Sequence, residues 1–285
     1  MCLAAARWTR LLGSAAVAAA LGLSVAGCMT TGNNDVTGSI GGSGSGNSTS
    51  ASNMPTPRSE AEWRRSLDVW GDRYKADPGN VEAATNYAKA LRATGQRAQA
   101  VAVLEQASMR NPRDMSLLGA YGRALADAGD YEQALKVLDR AHTPDNPDWR
   151  ILNAQGAVLD QLGRHDEAQR HYSSALKIVP GEPSVLSNLG LSYALTKDLK
   201  RAESTLRLAV NAPNAAPKVR QNLALVVGLQ GRFAEAEKIA AADLPPDQAA
   251  ANVDYLRVML AQQSEAKDTK KLGNKKQLPI PDAGT

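Results

Sequence analysis

The stretches Gly129-Asp130-Tyr131-Glu132-Gln133-Ala134 and Gly163-Arg164-His165-Asp166-Glu167-Ala168 carry one pattern, 34 residues apart: glycine, a polar turn, a ring, an acidic pair or near-pair, alanine. Moving outward, the glycine register reads Gly95, Gly129, Gly163, Lys197 and Gly231, and the alanine register reads Ala100, Ala134, Ala168, Ala202 and Ala236. Upstream, Tyr87-Ala88-Lys89-Ala90-Leu91 aligns with Tyr121-Gly122-Arg123-Ala124-Leu125 and then with Gln155-Gly156-Ala157-Val158-Leu159. Leu189-Gly190-Leu191-Ser192-Tyr193 and Leu223-Ala224-Leu225-Val226-Val227 complete the series. Five units follow, beginning at Val81, Met115, Trp149, Pro183 and Pro217. A fixed period of this length marks a stacked repeat in which one unit alone cannot bury its apolar face.

Each unit reads as two antiparallel helices. Glycine ends the first helix in a left-handed conformation, and Ala or Gly at the crossing removes the bulk that would hold the axes apart. Pro112 and Pro180 close second helices; Pro144, Pro147 and Pro213 do so with shifted spacing. Lys197 stands where glycine is expected, at a cost of about 1 kcal/mol, and Asp243 replaces an alanine of the fifth unit. The fourth and fifth units are therefore expected to be the least regular.

Composition agrees with helices. The 285 residues are 43% apolar, 22% charged and only 4% aromatic, with alanine and leucine supplying much of the apolar share. That balance excludes a long disordered chain and argues against an all-β fold. The net charge of +4 is accounted for at the ends: Arg7 and Arg10 give +2 in residues 1–27, and the tail 263–285 gives another +2 from five lysines against three acids. The body is electrically balanced, so the basic pI is no sign of nucleic-acid binding, which needs a concentrated cationic face.

The segments outside the array, 81–250, have their own signals. Ser59-Glu60-Ala61-Glu62 forms a capping box, and Trp63, Leu67, Trp70 and Tyr74 follow at helical spacing, which makes 59–80 a leading capping helix. Asp247 to about Gln262, with Val253, Leu256 and Leu260, reads as a closing helix whose end, 251–262, lies past the array. Residues 263–285 read as a disordered basic tail. Residues 28–58 are rich in Ser, Gly, Thr and Asn, a flexible tether whose span is roughly 30 Å.

Residues 1–27 place a positive patch before about fifteen apolar or small residues, too short a run to remain as a spanning helix. Val25-Ala26-Gly27-Cys28 resembles the lipobox of bacterial lipoproteins. That resemblance implies a signal peptide cut before Cys28, diacylation of Cys28, and a lipid anchor. Met29 is not the aspartate that retains many such proteins at the inner membrane, so the resemblance implies a periplasm-facing position on the outer membrane. A plain secretory signal cut near Ala26 is the alternative.

No constellation for catalysis stands out. His165 fills the turn slot that Tyr131 and Phe233 fill in sister units, His171 lies beside the interface position Tyr172, and His142 sits at a helix end. Packing or surface roles explain these better than a metal held by His165, Asp166 and His171, which would need converging ligands and supporting partners. Trp63, Trp70 and Trp149 read as core or cap residues. No nucleophile elbow, paired metal histidines or phosphate loop appears. The expectation is no enzyme, no metal and no cofactor.

The repeat resembles the tetratricopeptide repeat (TPR), in the small residue at the eighth position, glycine near the fifteenth and alanine at the twentieth. The resemblance implies an all-α solenoid of about five helical hairpins whose first helices line a groove for protein partners. Carrying over the groove positions gives Glu82, Thr85, Lys89 and Arg92; then Ser116, Arg123 and Asp127; then Arg150, Asn153, Asp160 and Gln161. The last two units give Ser187, Leu191, Leu195, Gln221, Leu225 and Leu229. The first half is charged and the second carries a leucine strip that either binds a partner or packs on the closing helix. Thr85 and Lys89 depart from the Lys and Asn of the family's carboxylate clamp. Lipobox, tether, Trp-rich leading helix and repeats together resemble the TadD lipoproteins of the tight-adherence (Flp) pilus machinery. That implies a scaffold whose partners are a pilus secretin or other pilus assembly components. A general adaptor for cell-wall hydrolases or outer-membrane assembly factors is the alternative, and a cell-wall or glycan-modifying enzyme is the alternative of another class.

Overall fold

The computed structural model describes residues 59–275, so the signal peptide, Cys28 and the tether lie outside the described residues, as do residues 276–285. The described residues form helices α1 (Glu60–Ala76), α2 (Val81–Ala93), α3 (Arg97–Arg110), α4 (Met115–Ala128), α5 (Tyr131–Leu138) and α6 (Trp149–Gln161). These continue as α7 (His165–Ile178), α8 (Pro183–Leu195), α9 (Leu199–Asn211), α10 (Pro217–Leu229), α11 (Phe233–Ala240) and α12 (Pro246–Lys275). The chain divides into two compact units, 59–215 and 216–275 among the described residues.

In the first unit each helix packs on its neighbour in sequence from α1 to α9, and the first helices also meet one another, α2 with α4, α4 with α6 and α6 with α8. The starts of those first helices are built by a cap the sequence repeats every 34 residues. The side chains of Asn80, Asp114, Asp148 and Glu182 accept backbone N–H groups of the first turn, at 2.9 Å for Asn80 and 2.8 Å for Asp114. Each satisfies an orphan donor of a helix that has no preceding turn. The leading helix α1 has its reciprocal box: Ser59 N donates to Glu62 Oε2 at 2.7 Å and Glu62 N to Ser59 Oγ at 3.2 Å. Its Trp63, Trp70 and Tyr74 are buried.

The crossings are close because of single atoms. Ala100, Ala134, Ala168, Ala202 and Ala236 are completely buried. A Cβ on Gly122 would stand 2.5 Å from Leu138 Cγ, one on Gly156 2.5 Å from the Tyr172 ring, and one on Gly190 2.6 Å from Leu206 Cγ. Leu138, Tyr172 and Leu206 are themselves 34 residues apart, so the missing side chain of the first helix is matched by a large one of the second.

The turn register holds through its exception. Gly129 ends α4 with φ 88°, and Lys197 takes the same left-handed conformation with φ 66° where its sister units have glycine. Asp198, next along, caps α9 by accepting from Arg201 N at 3.0 Å. The fourth unit is therefore regular, with two helices of 13 residues, contrary to expectation. The shortened second helices are α5 and α11, of 8 residues each, in the second and fifth units. The cause in the second unit is Pro144 and Pro147: residues 139–148 leave the helix for a turn in which Asn146 N donates to Thr143 O at 3.1 Å, although the repeat length is unchanged.

In the second unit, α10, α11 and α12 pack on one another. A Cβ on Gly228 would lie 2.5 Å from Leu256 Cδ2, so α12 fits against a gap in α10. Asp243, the acid in place of alanine, accepts from Arg220 Nε at 2.6 Å and Nη2 at 2.5 Å, tying α10 to the segment after α11. This pair holds the Arg220 guanidinium above its ordinary pKa, chiefly through the hydrogen bonds. The closing helix does not stop near Gln262. It runs 30 residues to Lys275, correcting the reading of 263–275 as disordered. The segment holds Ala, Gln, Glu and Lys, all good helix formers, and no proline before Pro279.

Candidate partner-docking surface

Some of the sequence-assigned groove residues of the first unit meet at seams between first helices, and the seams differ in chemistry. Between α6 and α8 the polar groups satisfy one another. Asn188 Nδ2 donates to Asn153 Oδ1 at 2.9 Å, with both side chains buried. Asp160, at the end of α6, accepts from Ser192 Oγ at 2.8 Å and Tyr172 OH at 3.0 Å and pairs with His165 Nδ1 at 2.8 Å. Desolvation raises the Asp160 carboxyl above its ordinary pKa even though those bonds pull the other way. The Tyr172 hydroxyl is pushed well up by its complete burial and then by the carboxylate. Asn153 and Asp160 thus join repeats to one another, and His165 is engaged within the same group. This use of groove positions has no signal in a single helix; it appears only when α6, α7 and α8 are brought together.

Between α4 and α6 the polar groups are cationic and unevenly matched. Arg92 and Asp127 form an ion pair across α2 and α4, with side chains 16% and 9% exposed. Asp148 spends one carboxylate oxygen on the Arg150 backbone N–H at 2.7 Å, capping α6. Arg123 stands among Arg92, Asp127, Asp148 and Arg150, and its guanidinium pKa is lowered to about 10, first by desolvation and next by repulsion from Arg92. Arg150 lies with Cζ 4.6 Å above the Trp149 ring centroid. Neither Arg123 nor Arg150 makes a side-chain hydrogen bond or ion pair among the described residues.

A cavity of about 430 Å³ opens here, lined by α4, the 139–148 turn and the start of α6. Its wall includes Trp149, a half-buried residue that also packs against the buried cluster of Leu152, Leu159 and Tyr172, in keeping with its reading as a core or cap residue. The remaining groove positions are scattered. Glu82, Lys89, Ser116, Gln161 and Gln221 are exposed, with Lys89 Nζ 6.0 Å from the Trp63 ring centroid. Thr85 is partly buried and its Oγ1 has no partner among the described residues; Ser187 is buried. Leu191 and Leu195 in the first unit, and Leu225 and Leu229 in the second, are each half-buried. Among the described residues no group of three or more His, Cys, Asp or Glu stands where it could hold a metal ion.

Residues 85–148 and 153–217 match the family model of the tetratricopeptide repeat. No curated protein matches the chain. Among known structures, the chain is similar to the APC/C hetero-tetramer Cut9-Hcn1 at 15% identity and TM-score 0.58, covering 71% of this chain but only 40% of that one, so it spans less than half of that relative. It is similar to TTC0263, a thermophilic TPR protein of Thermus thermophilus, at 21% identity and TM-score 0.56, covering 63% of this chain and 100% of that one. PilW, described as a widely conserved type IV pilus biogenesis factor, matches at 17% identity and TM-score 0.58, covering 68% of this chain and 91% of that one. Residues 85–148 and 153–217 thus read as tetratricopeptide repeats, and the described residues have the all-α fold of antiparallel helix pairs seen in those solved structures.

Proposed function

We propose that this protein is a lipid-anchored scaffold on the periplasmic side of the outer membrane that docks protein partners during assembly of the Flp, or tight-adherence, pilus, with the pilus secretin as the foremost partner. The observation that carries the scaffold reading is the repeat itself, helix pairs whose crossings are filled by alanine, glycine and the large side chains that meet them. The lipobox-like Val25-Ala26-Gly27-Cys28 and the Ser/Gly tether support the anchor. Several acyl chains, each buried methylene adding about 0.8 kcal/mol, would hold the chain durably while the tether lets it search near the bilayer. The pilus assignment draws on the resemblance to TadD lipoproteins and on the similarity to PilW. Its task is binding, and catalysis is not part of it.

Crosslinking in intact cells, followed by identification of captured proteins, tests this reading. A secretin or another pilus component among them supports it; capture of cell-wall hydrolases or outer-membrane assembly factors without any pilus component assigns the general adaptor role instead. Cys28→Ala is expected to release a folded protein to the soluble fraction. Persistent membrane association of that variant would remove the lipid anchor from the proposal.

A further inference from the structure

Two guanidiniums that make no side-chain hydrogen bond or ion pair among the described residues line one cavity. Arg123 comes from α4 and Arg150 from the first turn of α6, and both line the 430 Å³ space. Two carboxylates stand near Arg123 without bonding it: Asp127, which is paired with Arg92, and Asp148, which also lines the cavity and gives one oxygen to the backbone of α6. Burying a cation that no carboxylate bonds directly is costly: desolvation and repulsion from Arg92 and Arg150 outweigh the attraction of Asp148 and Asp127 and lower the Arg123 pKa. An anion entering the cavity would remove that cost. The rest of the lining narrows the kind of anion, because Met115, Pro147, Ile151 and the Trp149 ring add apolar wall beside the two charges. A planar guanidinium fork fits a carboxylate with two parallel hydrogen bonds, and apolar wall fits the carbon chain that carries it.

The cavity also depends on a feature of one unit. The loops 111–114 and 179–182 that join neighbouring units are four residues long, while 139–148 takes ten because prolines end α5 early. The unwound segment supplies Ala141, His142, Asn146 and Pro147 to the wall.

We propose that the cavity between α4, the 139–148 segment and α6 receives an acidic side chain from an extended segment of a partner protein, with Arg123 and Arg150 holding the carboxylate. The inference rests on the scaffold reading and names the chemistry of the partner at one place on it. It does not depend on which envelope machine the partner belongs to.

The test uses the detergent-solubilised full chain and three short peptides, with binding followed by calorimetry. One alternates glutamate and leucine with both ends blocked, one replaces glutamate by glutamine, and one is neutral with a free C-terminal carboxylate. The acidic blocked peptide is expected to bind, to weaken with added salt, and to lose at least about tenfold in affinity on Arg123→Gln or Arg150→Gln. Lys136→Gln, on the exposed side of α5, should leave the affinity unchanged. Arg150→Gln serves as the second variant should Arg123→Gln disturb the fold, which the melting midpoint reports. Equal binding of the glutamine peptide, binding indifferent to both arginine changes, or no binding of the acidic peptide overturns the proposal. Binding of the free-carboxylate peptide alone also overturns it, assigning the cavity to chain termini. Captured clients in cells with no effect of the arginine variants would sink this inference while the scaffold stands; peptide binding with no captured client would do the reverse.

Discussion

The α6–α8 seam and the α4–α6 seam are built from the same repeat in adjacent registers, yet one is closed and the other open. In the α6–α8 seam, Asn153, Asn188, Asp160, Tyr172 and Ser192 find partners within the fold. In the α4–α6 seam, Arg123 and Arg150 do not. A buried polar network that is fully matched rigidifies the join between units, whereas a partly matched one costs stability and leaves capacity for a ligand. On the proposed docking of an acidic side chain, a repeat turns from structural join to binding surface by changing side chains at positions of unchanged spacing.

The sharpest way to break the comparison is at the glycines behind each seam. Gly156→Ala drives a methyl into the Tyr172 ring, whose atoms lie at 2.5 Å and 2.8 Å and whose hydroxyl is tied to Asp160, and should cost about 3 kcal/mol. Gly119→Ala meets Ile151 Cδ1 at 2.6 Å, the end of a flexible side chain beside the cavity, so it should cost under about 1 kcal/mol. Denaturant unfolding of the two variants measures the gap, and equal losses would mean that the two seams are equally rigid.

Next in size, Asp160→Ala removes the acceptor of Tyr172 and Ser192 and should lower stability by about 2 kcal/mol, with Tyr172→Phe costing about 1 kcal/mol. Arg123→Met should go the other way. It exchanges an unmatched, poorly solvated cation for an apolar chain and should raise stability by about 1 kcal/mol while abolishing acidic-peptide binding. A loss of stability on Arg123→Met would show that the guanidinium is matched after all.

The smallest effect is a pH dependence. Burial, the largest influence, lowers the His171 pKa below 6.5, with Asp139 opposing it and His142 adding to the lowering. The unfolded chain therefore binds a proton at higher pH than the folded one. This contribution is absent well above 6.5 and destabilises progressively as pH falls through 6.5 to the lowered folded value. His171→Gln should flatten the fall in melting midpoint between about pH 7.5 and pH 5.5. An unchanged slope would place that titration elsewhere.

Much of this architecture was legible as spacing. The alanine register foretold the fully buried crossings, and the glycine register foretold the left-handed turns, Lys197 included. The caps at Asn80, Asp114, Asp148 and Glu182 were equally readable at 34-residue intervals but are subtler, since three different side chains perform one task. The fifth unit is irregular as expected, but the fourth is not and the second is, because a single left-handed lysine costs little while two prolines at shifted spacing end a helix. The extension of α12 follows from helix propensity, which the lysine-rich composition had masked.

Periodicity by itself determined the helices, their pairing and the crossings, because those depend on where bulk is missing and where φ must be positive, properties of single residues at fixed intervals. Which groove positions are spent inside the fold was decided only by the tertiary structure. Asp160 and Arg123 are both charged residues on first helices, and their fates diverge because one meets a tyrosine, a serine and a histidine from neighbouring helices while the other meets two arginines and carboxylates already engaged. Matching of a buried charge is a property of what surrounds it in space, and no interval along the chain encodes it.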